Sequence, residues 1–150
     1  MIDTVLIVCE GNLCRSPMAQ GLLQRELSDV EVTSAGLSAA KGAPIDSFAR
    51  DMLSVRGIDM SSHAARRLNE RVCGAADLIL VMELTQKQAI ETFYPTTRGR
   101  VYRLAEAEHA DVPDPFGRSA RIYDQAMALI ERGVRDWTKR IADLSRGSRT

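Results

Sequence analysis

An unbroken apolar run, Val5-Leu6-Ile7-Val8, stops at Cys9 and gives way to Glu10-Gly11-Asn12-Leu13-Cys14-Arg15-Ser16-Pro17, after which helical spacing begins. No other stretch constrains the fold as strongly. A strand that is apolar at every position belongs in a sheet covered on both faces. A tight turn from such a strand into a helix directs its backbone N–H groups at whatever lies over the helix N-terminus, which makes an anion cradle. Glu10, Gly11, Asn12, Leu13, Cys14, Arg15 and Ser16 are expected to line that cradle, with Cys9 at its base.

The loop residues have separable roles. Gly11 has no Cβ and Asn12 tolerates left-handed backbone angles, so the pair is expected to let the chain turn sharply. Arg15 supplies a planar fork able to hold two phosphate oxygens, which a lysine would not. Ser16 is placed to donate its hydroxyl to the Cys9 sulfur. Together the amides, the helix dipole, the guanidinium and the hydroxyl favour negative charge, so Cys9 is expected to ionise below the free-thiol value of about 8.5. Taken alone, a cysteine after a buried strand reads as an inert core residue. The length of the pattern and its strand-to-helix context favour a nucleophile.

A thiolate that displaces a phenolic oxygen from phosphorus needs a separate proton donor near the leaving group. Asp111-Val112-Pro113-Asp114-Pro115-Phe116-Gly117 offers one. Its prolines hold Val112 and Asp114 extended and Gly117 lets the loop turn back, so Asp114 is presented from a stiff loop. The competing reading of Asp114 is an ordinary turn or cap aspartate. Asp111 is expected to be solvated.

Cys9 through Pro17 resembles the loop of the low-molecular-weight protein tyrosine phosphatases. Ser34-Ala35-Gly36, Ser62-His63-Ala64-Ala65-Arg66 and Asp114-Pro115-Phe116 are similar to family segments in the same order. The resemblance implies a four-stranded parallel sheet and hydrolysis of phosphotyrosine through a phosphocysteine, with Cys9, Arg15 and Asp114 catalytic and no metal or cofactor. It also implies that Ser34 and His63 hydrogen-bond Asn12 and hold its backbone. The family builds one wall of its cleft from an aromatic residue after the second strand. Here that segment reads Leu37-Ser38-Ala39-Ala40-Lys41-Gly42, leaving Leu13, Ala40 and Phe116 as the expected substrate walls. This aromatic-poor loop is similar to the bacterial branch associated with tyrosine kinases of exopolysaccharide export, so an autophosphorylating tyrosine kinase is an expected partner, and inorganic phosphate or other oxyanions are expected in the site.

Three other readings share this pattern. An arginine phosphatase resembles the chain closely but tends to carry threonine where Leu13 stands. An arsenate reductase needs further relay cysteines, and Cys73 stands alone in mid-chain and reads as core. A silent phosphate-binding module would need neither Cys9 nor Asp114. Cys14 is forced close to Cys9 by the turn, so a Cys9 sulfenic acid is expected to be trapped as a Cys9–Cys14 disulfide, unless Cys14 only fills the loop. Neither the two histidines nor the three cysteines fall at metal-ligand spacing, and His109 reads as a loop residue.

At 150 residues, 45% hydrophobic and 27% charged, the chain suits one buried core, and one domain spanning residues 1–150 is expected. Zero formal net charge gives no general pull toward nucleic acid or anionic lipid. The apolar runs are too short for a bilayer, Asp3 stands where a signal peptide would carry positive charge, and a reactive thiol pair suits a reducing compartment. A cytoplasmic location without membrane insertion is therefore expected. Strands are expected at Val5–Cys9, Glu31–Ala35, Leu78–Met82 and Val101–Arg103. Helices are expected at Pro17–Leu27, Asp46–Arg56, Asn69–Cys73, Thr85–Phe93 and Ser119–Ser145, the last with a core stripe of Tyr123, Met127, Ile130, Val134, Trp137, Ile141 and Leu144. Strands alternating with helices give an α/β fold with helices on both sheet faces and the phosphate loop after the first strand.

Overall fold

Strands and helices alternate along the chain in a computed structural model that describes residues 1–147; the last three positions of the expected domain lie outside it. The order is β1 (Thr4–Cys9), α1 (Arg15–Glu26), β2 (Glu31–Gly36), α2 (Ser47–Val55), α3 (Glu70–Gly74), β3 (Leu78–Val81), α4 (Leu84–Phe93), β4 (Val101–Arg103) and α5 (Ala120–Gly147). All four strands pair in parallel in the order β2-β1-β3-β4.

The unbroken apolar runs behave as their composition dictates. Alternate side chains of β1 feed opposite faces: Val5, Ile7 and Cys9 join the core under α1, α2 and α5, while Leu6 and Val8 join the core on the side of α3 and α4. β3 divides likewise, with Leu78 and Leu80 on the first face and Ile79 and Val81 on the second. Both faces of the central strands are thus dry. The α5 stripe packs Tyr123, Met127, Ile130, Val134, Trp137 and Ile141 against the first face. Leu144, expected in that stripe, is instead 55% exposed, at the rim of a surface hollow that it lines with Ile2 and Leu78.

Two features of the topology place the site. The chain leaves β1 for β2 on one side and later returns to β3 on the other, so the carboxyl end of β1 is a switch point where neighbouring connections diverge. Helix α1 also begins at Arg15, two residues earlier than expected from Pro17. Pro17 still falls in the first turn, where its missing N–H is no loss. Cys14 is the N-cap and makes no side-chain cap, so the opening amides of α1 face the space above Cys9. Among the described residues, no helix is long and apolar enough to cross a membrane.

Candidate active site

Cys9 ends β1 with its side chain 2% exposed. Its Sγ lies 3.0 Å from Ser16 Oγ and accepts the Asn12 backbone N–H at 3.3 Å. Asn12 Nδ2 donates to that same Ser16 oxygen at 2.7 Å. With a lone pair of Ser16 Oγ occupied in this way, its hydroxyl proton is left for the sulfur. Negative charge on Cys9 therefore meets a hydroxyl and a main-chain donor in a dry setting, where such contacts are strong.

Asn12 is the strut of the loop. It is fully buried and holds φ at 56°, the left-handed region. Its Nδ2 also donates to Ser34 Oγ at 3.0 Å, its Oδ1 accepts Arg66 N–H at 3.0 Å, and its carbonyl accepts from His63 Nε2 at 2.8 Å. Ser34 in turn donates to Gln20 Oε1, and Arg66 Nε donates to the Ser34 carbonyl at 2.9 Å. A strained backbone persists only where its surroundings over-determine it, and here three elements do so. The expected role of Gly11 differs in the structure. Its φ is not positive, and an added Cβ would meet only Leu13, at 3.7 Å. The glycine the loop requires is Gly36, where a Cβ would lie 2.8 Å from the Glu10 carbonyl oxygen and 2.9 Å from Asn12 N.

Arg15 is 2% exposed and fixed from behind. Its Nη1 donates to Glu83 Oε1 and to the Val112 carbonyl, each at 2.9 Å, which leaves the rest of the fork facing the recess. Nη2 lies 3.8 Å from Asp114 Oδ2. Glu83 escaped the sequence reading, since it is 68 residues from Arg15. The available signal was its place directly after β3, because side chains just past the carboxyl ends of parallel strands face the same crevice. Glu83 also opens α4 through a reciprocal capping box with Gln86.

Asp114 and Phe116 come from the opposite bank and are 49% and 53% exposed. Asp114 Oδ1 accepts the Phe116 N–H at 3.1 Å, and Gly117 turns the loop with φ at 70°. A recess of about 190 Å³ is lined by Cys9, Glu10, Gly11, Leu13, Cys14, Arg15, Asp114 and Phe116. Of the expected walls, Leu13 and Phe116 line this recess. Ala40 is exposed and lies outside the lining. Asp111 is exposed, as expected, and it also accepts Leu84 N–H at 3.0 Å and pairs with Arg103 at 3.2 Å, tying the loop that carries Asp114 to α4 and β4.

The two loop thiols sit in different settings. Cys14 is buried, and its pKa is pushed up to about 12 by that burial first, then by Cys9, Asp114 and Asp46. Tyr123 of α5 donates its hydroxyl to Asp46, and burial first, then that bond, raises the phenol pKa. Asp46 caps α2 by accepting from Ala49 N–H and donates its own N–H to the Leu13 carbonyl at 2.9 Å. Cys73 is 1% exposed in the core on the far face of the sheet, as expected.

The model of the family described as "Low molecular weight phosphotyrosine protein phosphatase" matches residues 4–146. A protein of Ralstonia nicotianae named "Probable low molecular weight protein-tyrosine-phosphatase EpsP" is 45% identical over 144 residues, which is 96% of this chain and 99% of the relative. The tyrosine phosphatase Wzb from Escherichia coli K30, solved with sulphate, superimposes with a TM-score of 0.90 at 28% identity, covering 94% of this chain and 99% of that one. The YwlE arginine phosphatase from Geobacillus stearothermophilus gives 0.90 at 30% identity, covering 97% and 96%. With a buried sulfur, a braced guanidinium and an opposed carboxylate on this scaffold, the chain belongs to the low molecular weight phosphotyrosine protein phosphatase family.

Proposed function

We propose that the chain hydrolyses phosphotyrosine in proteins by way of a phosphocysteine on Cys9. The observation that carries this reading is the Cys9 sulfur, held by Ser16 and Asn12 at the base of a recess whose rim carries Arg15 and Asp114. The sulfur attacks phosphorus in line, forming the S–P bond as the P–O bond to tyrosine breaks. Asp114 gives its proton to the departing phenolic oxygen. Arg15 and the loop amides hold the three remaining oxygens, whose charge they stabilise without reorganising. Water then attacks phosphorus, the S–P bond breaks, and the Asp114 carboxylate takes the water's proton as phosphate leaves.

Ser34 and His63 act by fixing Asn12, and Glu83 by fixing Arg15; all three are positioning residues. A phenol entering the recess meets Leu13 on one side and Phe116 on the other. The similarity to EpsP and Wzb, both named as tyrosine phosphatases, supports phosphotyrosine as the substrate; the source of substrate in this reading is a bacterial tyrosine kinase of exopolysaccharide production, and the setting is the cytoplasm. The similarity to YwlE keeps phosphoarginine as the second substrate reading. Leu13 weighs against it, because an apolar side chain at the mouth offers nothing to a guanidinium. The test is a panel of phosphotyrosine, phosphoserine and phosphoarginine peptides together with arsenate. Selective release of phosphate from phosphotyrosine is expected, and a preference for phosphoarginine or thiol-dependent arsenate turnover would overturn the reading.

A further inference from the structure

We infer that Phe48, linked to the recess lining through Asp46 and Tyr123, is a platform for an aromatic side chain flanking the phosphotyrosine of a protein substrate; the inference rests on the phosphotyrosine reading above. Phe48 is the second residue of α2 and is 48% exposed. A single exposed apolar side chain is ordinary on a protein surface. This one is held in a fixed attitude beside the catalytic loop.

Its ring stacks on Tyr123 with centroids 4.8 Å apart and planes inclined by 21°. Tyr123 is itself 2% exposed, with its hydroxyl end on Asp46 and close enough to Cys14 to interact with it. Asp46, two residues before Phe48, donates its backbone N–H to the carbonyl of Leu13, which lines the recess. One face of the Phe48 ring is thus spent on Tyr123, and the ring remains half exposed, two residues along from the Asp46–Leu13 bond. The position supplies what residues 37–42 do not, since Ala40 is exposed and carries no ring. A rigid aromatic face favours a second aromatic over an aliphatic partner through offset or edge-on contact, and a contact of that kind changes rates by about two- to tenfold.

The experiment compares kcat/KM of wild type, Phe48→Ala and Phe48→Tyr on three probes. These are 4-nitrophenyl phosphate, a phosphotyrosine peptide with alanine on both sides, and the same peptide with phenylalanine walked through the three positions on each side. Wild type and Phe48→Tyr are expected to prefer phenylalanine at one or more of those positions by about two- to tenfold. Phe48→Ala is expected to lose that preference while its rate on 4-nitrophenyl phosphate stays unchanged. Equal rates on all the peptides with wild type, or a preference that survives in Phe48→Ala, would overturn the platform alone. Failure to hydrolyse any phosphotyrosine peptide, with a phosphoarginine peptide cleaved, would overturn the substrate reading and the platform with it.

Discussion

The two banks of the recess are built on opposite principles. On the Cys9 side, Asn12 and Ser16 are fully buried and Arg15 is 2% exposed, and each makes at least two hydrogen bonds to partners on other turns or elements. On the other side Asp114 and Phe116 are about half exposed and are held mainly by a local turn and by Asp111 at its base. The difference follows from what each bank must do. In the proposed mechanism, oxyanion donors gain most when they are fixed before charge develops, whereas a carboxyl group that gives a proton to the departing phenol and then takes one from the attacking water has to remain open to both.

Apart from loss of the Cys9 sulfur itself, the largest effect should come from the open bank. Asp114→Ala is expected to lower kcat by about 10²- to 10³-fold on phosphotyrosine. The loss should be smaller on 4-nitrophenyl phosphate, whose leaving group needs less help from a proton; equal losses on both would place the acid elsewhere. On the fixed bank, Asn12→Ala removes contacts to Ser16, Ser34 and Arg66 and puts an ordinary residue at a left-handed φ. Urea unfolding should show a loss of about 1–3 kcal/mol, because buried partners are left unsatisfied and strain is unrelieved. Steady-state kinetics should then show a fall in kcat/KM. An unchanged stability would mean that the brace is redundant.

Glu83→Gln keeps a hydrogen-bond acceptor for Arg15 Nη1 but removes the charge. Activity is expected to fall by about three- to tenfold, in line with the smaller worth of a neutral over a charged hydrogen bond. The smallest effect concerns the thiols. Cys14→Ser should leave the initial rate within about twofold, as expected for a side chain that takes no part in the chemistry. After peroxide and then thiol treatment, Cys14→Ser should recover less activity than wild type, and equal recovery would remove the shielding role of Cys14. The raised Cys14 pKa also carries a sign. Burial favours its neutral form, so its contribution to stability is intact below the ordinary value of 9.0 and is lost as pH rises from there toward about 12. Alkaline unfolding of Cys14→Ser measured against wild type reads that difference.

Most of the sheet and all three catalytic candidates were legible because they are local. The apolar run Val5–Val8, the turn chemistry at Asn12 and the proline-stiffened loop around Asp114 each state their conformation within a few residues. What escaped was encoded across long separations. Glu83 reaches Arg15 from the end of β3, and Gly36 is needed only because β2 passes under the Glu10 carbonyl. Asp111 is exposed as read, but its partners, Leu84 and Arg103, belong to other elements and are not legible from its neighbours. Leu144 keeps the helical period of α5, but a period does not say whether the layer beneath a helix is filled at each turn.

Everything catalytic in this account passes through one sulfur. Rapid quenching of the enzyme during turnover of a phosphotyrosine peptide, followed by peptide mass mapping, measures that directly. One phosphoryl group per chain on the peptide that carries Cys9, and none in an inactive Cys9→Ala variant, is the result predicted. Sustained hydrolysis by Cys9→Ala, or a wild-type enzyme that turns over without acquiring phosphorus on Cys9, would contradict it.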